Sequence, residues 1–112
     1  MEDKTMTIEK MFKDKELTMI VSGRLDTATA PQLENEVKAN VEGVERLVLD
    51  FGALEYLSSA GLRVLLQAQK IMNKQGEMIV KNVNETVNEI FEITGFLDIL
   101  TVHHSQVSRH NL

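Results

Sequence analysis

LVLDFGALEYLSSAGLRVLL, residues 47–66, is the stretch that decides how this chain folds. Residues 46–51 form a short apolar run, a pattern typical of a strand that is covered on both faces. Near its end, Asp50 is interpreted as a structural carboxylate that accepts hydrogen bonds from loop amides. From residue 60 to about residue 73, apolar side chains spread over more than one face of a helix, which is therefore predicted to be largely buried. Residues 52–59 would connect the two elements and place a pair of serines at the start of the helix.

Short elements precede this central unit. Residues 5–12 and 17–22 each begin with alternating apolar side chains, and the polar residues between them indicate a β-hairpin. A polar loop over residues 24–29 leads to a helix that runs to about Glu42. Pro31 suits the first turn of that helix, because proline lacks an amide hydrogen that would be unpaired there. The first half of the chain thus contributes two strands and one helix.

Strand and helix alternate again after the central unit. Residues 78–81 form a short apolar strand, and Asn84 is predicted to cap a helix that ends at Gly95. Residues 97–102 return to the body of the fold, whereas residues 103–112 are polar and form either a short final helix or a frayed tail. The order β, β, α, β, α, β, α predicts an α/β domain with a mixed sheet and crossover helices.

Length and composition exclude several classes of protein. With 112 residues the chain is expected to be one domain, and 43% apolar residues suffice for a core without metal or disulfide support. The absence of cysteine excludes zinc fingers, thiol chemistry and a disulfide scaffold. The net charge of −5 disfavours nucleic acid and anionic membrane surfaces. We expect a cytoplasmic protein with no signal peptide, no membrane insertion and no direct contact with nucleic acid.

The start of the second helix is where functional chemistry is expected. If Ser59 is the N-cap, the free amides of Ala60, Gly61 and Leu62 point at its side chain, and the glycine allows a partner to approach closely. An anion on Ser59 would meet these donors and the positive end of the helix dipole, so a phosphoserine is compatible with the fold. The alternative is that Ser59 is only a helix cap, which spacing alone favours.

The run LVLDFGALEYLSSAGLRVLL resembles the signature of the STAS domain, as found in bacterial anti-sigma factor antagonists. In that family a strand ending in aspartate leads to an apolar-Asp-Ser-Ser/Ala/Thr-Gly-Leu turn that opens a helix. Residues 21–33 (VSGRLDTATAPQL) and 76–100 (GEMIVKNVNETVNEIFEITGFLDIL) are similar to the family's flanking elements. The resemblance covers residues 4 to about 104. It implies one STAS domain over residues 1–112, with a mixed sheet of four to five strands, three to four helices, and a tail over residues 105–112 that frays.

The resemblance also implies a regulatory site. In the family the serine after the aspartate of the turn is phosphorylated by a partner kinase that is also the anti-sigma factor, and that position is Ser59 here. Ser58 stands where the commonest turn has aspartate, and it is the second candidate acceptor. Phosphorylation would release the kinase, and a metal-dependent serine phosphatase would restore the complex. The residues expected to contact the partner are Asp26, Thr27, Ser58, Ser59, Gly61 and Arg63.

Two rival hypotheses stay open. The chain could be a STAS adaptor subunit of a transport or sensory complex in which Ser59 is never modified, and Ser58 in place of aspartate favours this. It could instead be a small phosphate-binding enzyme, but it has no Gly-x-Ser-x-Gly elbow and no Gly-x-x-x-x-Gly-Lys loop. No histidine is placed to activate either serine, and His103, His104 and His110 lack the spacing of a metal site. We therefore expect no enzyme activity, no cofactor and no metal.

Overall fold

The computed structural model describes residues 6–104. Within that range the chain forms five strands, three α-helices and one short 3-10 helix. In chain order these elements are β1 (Met6–Lys13), β2 (Glu16–Leu25), α1 (Ala30–Asn40), β3 (Arg46–Leu57), α2 (Ser59–Asn73), β4 (Glu77–Val83), α3 (Glu85–Thr94), the 3-10 helix (Phe96–Asp98) and β5 (Thr101–His104). The predicted α/β class and the order of the elements are confirmed.

The five strands form one mixed sheet in the order β1-β2-β3-β4-β5. β1 and β2 are the antiparallel hairpin that the alternating pattern predicts, whereas β2, β3, β4 and β5 run parallel to one another. In the hairpin turn Asp14 has a φ angle of 55°, a conformation that Asn-Gly pairs often provide in such turns. Each parallel connection contains a helix that crosses back along the sheet, as parallel pairing requires.

The apolar sides of the three α-helices pack against one face of the sheet. Leu33 of α1, Leu65 of α2 and Phe91 of α3 have no exposed surface, and each belongs to one continuous core. The strand residues of that core alternate with Val48 and Ile79, which lie outside it and point to the opposite face. Burial of a large apolar side chain stabilises the fold by about 2 kcal/mol, so these contacts hold the three helices on the sheet. Over residues 6–104 the structure contains no helix long and apolar enough to cross a membrane.

β2 and β3 extend further at their carboxyl ends than the sequence pattern predicts. β2 continues to Leu25 and β3 to Leu57, so the predicted connection over residues 52–59 is mostly strand. The two extensions pair with each other across register shifts. In this part of β3 the buried residues Phe51, Leu54 and Leu57 are three apart rather than two. Such irregular pairing removes the alternation by which strands are recognised in a sequence.

Two further boundaries differ from the prediction. α1 ends at Asn40, slightly before the predicted end near Glu42. His103 and His104, which were expected in a final helix or a frayed tail, belong to β5 because they pair with β4. The rest of the predicted tail, residues 105–112, lies outside the described residues.

Candidate functional site

The predicted site lies at the carboxyl edge of the sheet, where β2 and β3 end side by side. Leu25 pairs with Leu57, and the amide of Ser58 donates a hydrogen bond of 2.9 Å to the carbonyl of Leu25. The loop after β2, with Asp26 and Thr27, therefore begins next to the start of α2. This edge is where α/β proteins with parallel strands commonly bind their ligands.

The helix α2 begins at Ser59, so the expectation that Ser59 is the N-cap is wrong by one residue. Ser58 is the N-cap, with an extended backbone at φ −100° and ψ 176°. Its carbonyl accepts a hydrogen bond of 3.0 Å from the amide of Leu62, so that amide is not free as expected. The amides left without a partner inside the helix are those of Ser59, Ala60 and Gly61. The cause is the hydrogen bond from Ser58 to β2, which holds Ser58 in the extended conformation.

The two serine hydroxyls lie in different environments. Ser58 Oγ has less than 1 Å² of exposed surface and no hydrogen-bond partner among residues 6–104, and it does not cap the helix. Ser59 is exposed. A kinase has to bring the hydroxyl that it modifies within bonding distance of the phosphate, so this geometry favours Ser59 over Ser58 as the acceptor. Phosphorylation of Ser59 stays a prediction.

Gly61 is buried at a close contact between α2 and the strands. A β-carbon here would lie 2.6 Å from Leu57 Cδ1 and 2.7 Å from Leu25 Cγ, much closer than carbon atoms approach. The helix can therefore pack against the ends of β2 and β3 only because this residue has no side chain. The sequence predicted that Gly61 lets a partner approach closely. Because Gly61 is buried, only its backbone could contact a partner, and this contact stays a prediction.

Asp26 organises the loop between β2 and α1. Its Oδ1 accepts hydrogen bonds from the amides of Ala28 and Thr29, at 3.0 and 3.1 Å. It also lies 3.2 Å from the Thr29 hydroxyl, whose single proton is shared with the carbonyl of Arg24 at 2.7 Å. The Asp26 amide in turn donates to Thr29 Oγ1 at 2.9 Å. Its Oδ2 lies 3.7 Å from Nε of Arg24. Asp26 thus caps the loop, and its predicted contact with a partner stays a prediction.

These contacts lower the pKa of Asp26. Burial is the largest single influence and acts to raise the pKa, but the hydrogen bonds from Thr29 and Ala28 and the charge of Arg24 together outweigh it, so the pKa falls below its ordinary value of 3.8. Such a carboxylate stabilises the fold above the unfolded pKa, and this contribution is lost as pH falls through the folded pKa. We therefore expect the free energy of unfolding to fall more steeply in the wild type than in Asp26→Asn as pH drops below about 4.

An NMR titration of the Asp26 carboxyl carbon measures this pKa, and urea denaturation at each pH measures the stability. Thr29→Val is the matched variant, because it removes one hydroxyl donor but keeps the carboxylate. We expect it to move the pKa of Asp26 upward. A wild-type Asp26 that titrates at or above 3.8 would contradict this account of the loop.

Thr27 and Arg63 complete the exposed part of the site. Thr27 is exposed in the loop after β2, and Arg63 is exposed on α2. Arg63 follows Ser59 by four residues, so the two side chains lie on one face of the helix, one turn apart. Within the described range Arg63 forms no ion pair. The structure thus brings the predicted site residues to one edge of the sheet, where Thr27, Ser59 and Arg63 are the exposed ones.

Reasoning from the sequence missed one pair of residues at this edge. The guanidinium carbon of Arg24 lies 4.3 Å from the centre of the Tyr56 ring, a cation–π contact. The two residues were predicted in loops, but they face each other across the extended ends of β2 and β3. The only signal in the sequence was the three-residue spacing of apolar side chains in β3. Because Arg24 also contacts Asp26, this pair connects the sheet to the loop.

Asp50 has the structural role expected for it. Its Oδ1 accepts hydrogen bonds from the amide of Gly52 at 2.9 Å and from Nδ2 of Asn82 at 3.0 Å. The bond from Asn82 connects β3 to β4, and the bond from Gly52 stays within β3, several residues before the serines.

Comparisons with known proteins agree with this fold. The family model described as STAS domain matches residues 7–108. BtrV of Bordetella bronchiseptica, which is classed with the anti-sigma factor antagonists, is 44% identical over 90% of this chain and 87% of its own length. The crystal structure of an anti-sigma factor antagonist from Mycobacterium paratuberculosis is 27% identical, with a TM-score of 0.81 over 88% of this chain and 86% of that one. The Bacillus cell fate determinant SpoIIAA in its phosphorylated form shares the fold, with a TM-score of 0.68 and 17% identity over 93% of this chain and 96% of that one.

Proposed function

Because the chain belongs to the STAS domain family of anti-sigma factor antagonists, we propose that it binds an anti-sigma factor that is also a serine kinase, and that reversible phosphorylation of Ser59 controls this binding. The unphosphorylated surface around Asp26, Thr27 and Ser59 holds the kinase and thereby frees a sigma factor. The role of the family is regulatory rather than enzymatic. The protein acts in the cytoplasm, where its ATP-using partner works.

The exposure of Ser59 beside unpaired helical amides is the observation that carries this proposal. A phosphate on Ser59 brings about −1.5 to −2 charges to the positive end of the α2 dipole, an arrangement worth about 0.3–1 kcal/mol to the fold. Arg63, one turn further along α2, offers a guanidinium that can pair with the phosphate. The folded chain therefore tolerates the modification, and the unfavourable effect of the charge falls on the complex with the partner.

The proposed cycle has two steps, phosphorylation by the kinase and dephosphorylation by the phosphatase. In the kinase, the γ-phosphoryl group of ATP passes to Oγ of Ser59, the hydroxyl proton leaves, and ADP is released. In the metal-dependent phosphatase, water attacks the phosphate ester, so that phosphate leaves and the hydroxyl of Ser59 is restored. This chain supplies the hydroxyl in the first step and the phosphate ester in the second, and both active sites belong to the partners, because a serine without a neighbouring base is a weak nucleophile.

Intact mass measured on the chain isolated from its native cell tests this function. We expect an increment of one phosphoryl group that a phosphatase removes and that peptide fragmentation maps to Ser59. Ser59→Ala should lose the increment. Ser58→Ala should keep it, because the Ser58 hydroxyl is buried. A phosphate mapped to Ser58, or a mass that never changes between growth and stress conditions, would contradict the proposal.

A constitutive adaptor is the second candidate function, and Ser58 in place of the family's usual aspartate is the observation that favours it. An unmodified mass together with a stable complex containing a transport or sensory protein would support the adaptor. Turnover of a phosphate compound by the purified chain alone would instead support an enzyme.

A further inference from the structure

An exposed apolar cluster lies at the end of α3. Ile93 is 81% exposed, Leu97 38% and Ile99 44%, and Ile93 exceeds every other large apolar side chain in residues 6–104. A single exposed apolar residue is ordinary on a protein surface, but several together often mark an interaction site.

Exposed acidic side chains precede and follow this cluster in the chain. Glu85, Glu89 and Ile93 follow one another at intervals of four, so they form one exposed stripe along α3. Glu92 and Asp98 are exposed beside that stripe. No lysine or arginine occurs from the start of α3 to the end of β5. None of the ion pairs within the described part of the chain involves these carboxylates. The surface that this segment contributes is therefore both apolar and negatively charged.

This surface lies at the other end of the sheet from Ser59. β3, β4 and β5 are parallel, so α2 and α3 both start at the carboxyl edge of the sheet, and α3 runs back toward the amino edge before β5 begins. A molecule bound at the end of α3 would leave the carboxyl edge uncovered. The two surfaces can therefore be occupied together.

We propose that the end of α3 docks a basic amphipathic segment of a second protein partner. The surface, called the α3 patch below, consists of Ile93, Leu97, Ile99, Glu89, Glu92 and Asp98. The apolar side of the segment covers the exposed isoleucines and leucine, and its lysines or arginines pair with the carboxylates. This inference is independent of Ser59 and of the anti-sigma partner.

A second copy of this chain fits the α3 patch less well. The basic apolar segment of the chain itself is the β1–β2 hairpin, where Phe12 is 58% exposed. Two lysines of the hairpin already form ion pairs within the chain, Lys10 with Glu36 and Lys15 with Glu45. The net charge of −5 also opposes self-association.

The test uses the full chain and two synthetic helical peptides made only of leucine and lysine, one with all leucines on one face and one with the same residues scrambled. We expect saturable binding of the amphipathic peptide, with NMR shift changes at Ile93, Leu97 and Ile99. Ile93→Asp and Glu89→Lys should each weaken binding by about tenfold or more. Glu9→Lys is the matched control, because it makes the same charge change on an exposed residue of β1 and should bind as the wild type does.

Equal binding of the scrambled peptide, or an equal loss in Glu9→Lys, would overturn the proposal, since either result indicates attraction to net charge alone. Shift changes confined to other surfaces would also overturn it. Self-association that Ile93→Asp abolishes would assign the patch to a second copy instead. Ser59→Asp should bind the peptide as tightly as the wild type. The proposal for the α3 patch can therefore be rejected without rejecting the proposed function of Ser59, and the reverse also holds.

Discussion

Ser59→Asp is expected to bind the proposed anti-sigma kinase at least about tenfold more weakly than the wild type, a loss of about 1.4 kcal/mol or more. The aspartate puts a negative charge on the exposed first residue of α2, and a charge that loses its water at an interface without a partner costs several kcal/mol. Ser59→Ala is expected to keep the affinity of the wild type, because it removes a hydroxyl and adds no charge. Titration calorimetry with the kinase purified from the same cells measures both.

Gln67→Glu is the matched control for this prediction. It also adds one negative charge to an exposed position of α2, but two turns after Ser59. We expect it to bind the kinase nearly as tightly as the wild type. Equal affinity of Ser59→Ala and Ser59→Asp, or an equal loss in Gln67→Glu, would count against control of binding by charge at Ser59.

Gly61→Ala is expected to lower the free energy of unfolding by about 2 kcal/mol. The new β-carbon would overlap the side chains of Leu57 and Leu25, at 2.6 and 2.7 Å. Both leucines are buried in the core and have little room to turn aside, so we expect α2 to shift away from the ends of β2 and β3. Because the same movement displaces Ser59, we also expect weaker binding of the kinase. Urea denaturation measures the loss of stability, and calorimetry at a temperature where the variant is folded measures the loss of affinity.

Gly52→Ala separates this packing effect from the general cost of replacing a glycine. At Gly52 the nearest atom to a new β-carbon is Asp50 Oδ1, a side-chain atom at 3.2 Å. Small adjustment of that carboxylate relieves the contact, so we expect a change within about 1 kcal/mol. If Gly61→Ala were as stable as Gly52→Ala, α2 would not pack closely against the ends of β2 and β3 at Gly61.

Most elements were predictable because their signals are local. Asn84 caps α3 as expected, since its side chain accepts a hydrogen bond of 2.8 Å from the Val87 amide. Gly95 ends the same helix with a φ angle of 82°, a conformation that glycine adopts without strain. The ends of β2 and β3 were not predictable in this way, because their length depends on pairing between segments far apart in the chain.

The sequence predicted which residues lie near the candidate site, but not which of them are buried or what they contact. The motif around Ser59 identified the family and placed the helix start to within one residue, and the structure brings the other predicted residues to the same edge. The burial of the Ser58 hydroxyl, the contact of Gly61 with the strands and the Arg24–Tyr56 pair all follow from the irregular ends of β2 and β3. None of these features has a signal within a few residues of sequence.

The amino-acid sequence by itself determined the family, the order of strands and helices, and the presence of a serine pair at the opening of α2. These properties depend on side chains that are neighbours in the chain, through periodicity, capping and turn preferences. Only the tertiary structure decided which serine is accessible, because the hydrogen bond from Ser58 to Leu25 sets where the helix begins. That bond joins residues that meet only after the sheet has formed, so local preferences carry no information about it.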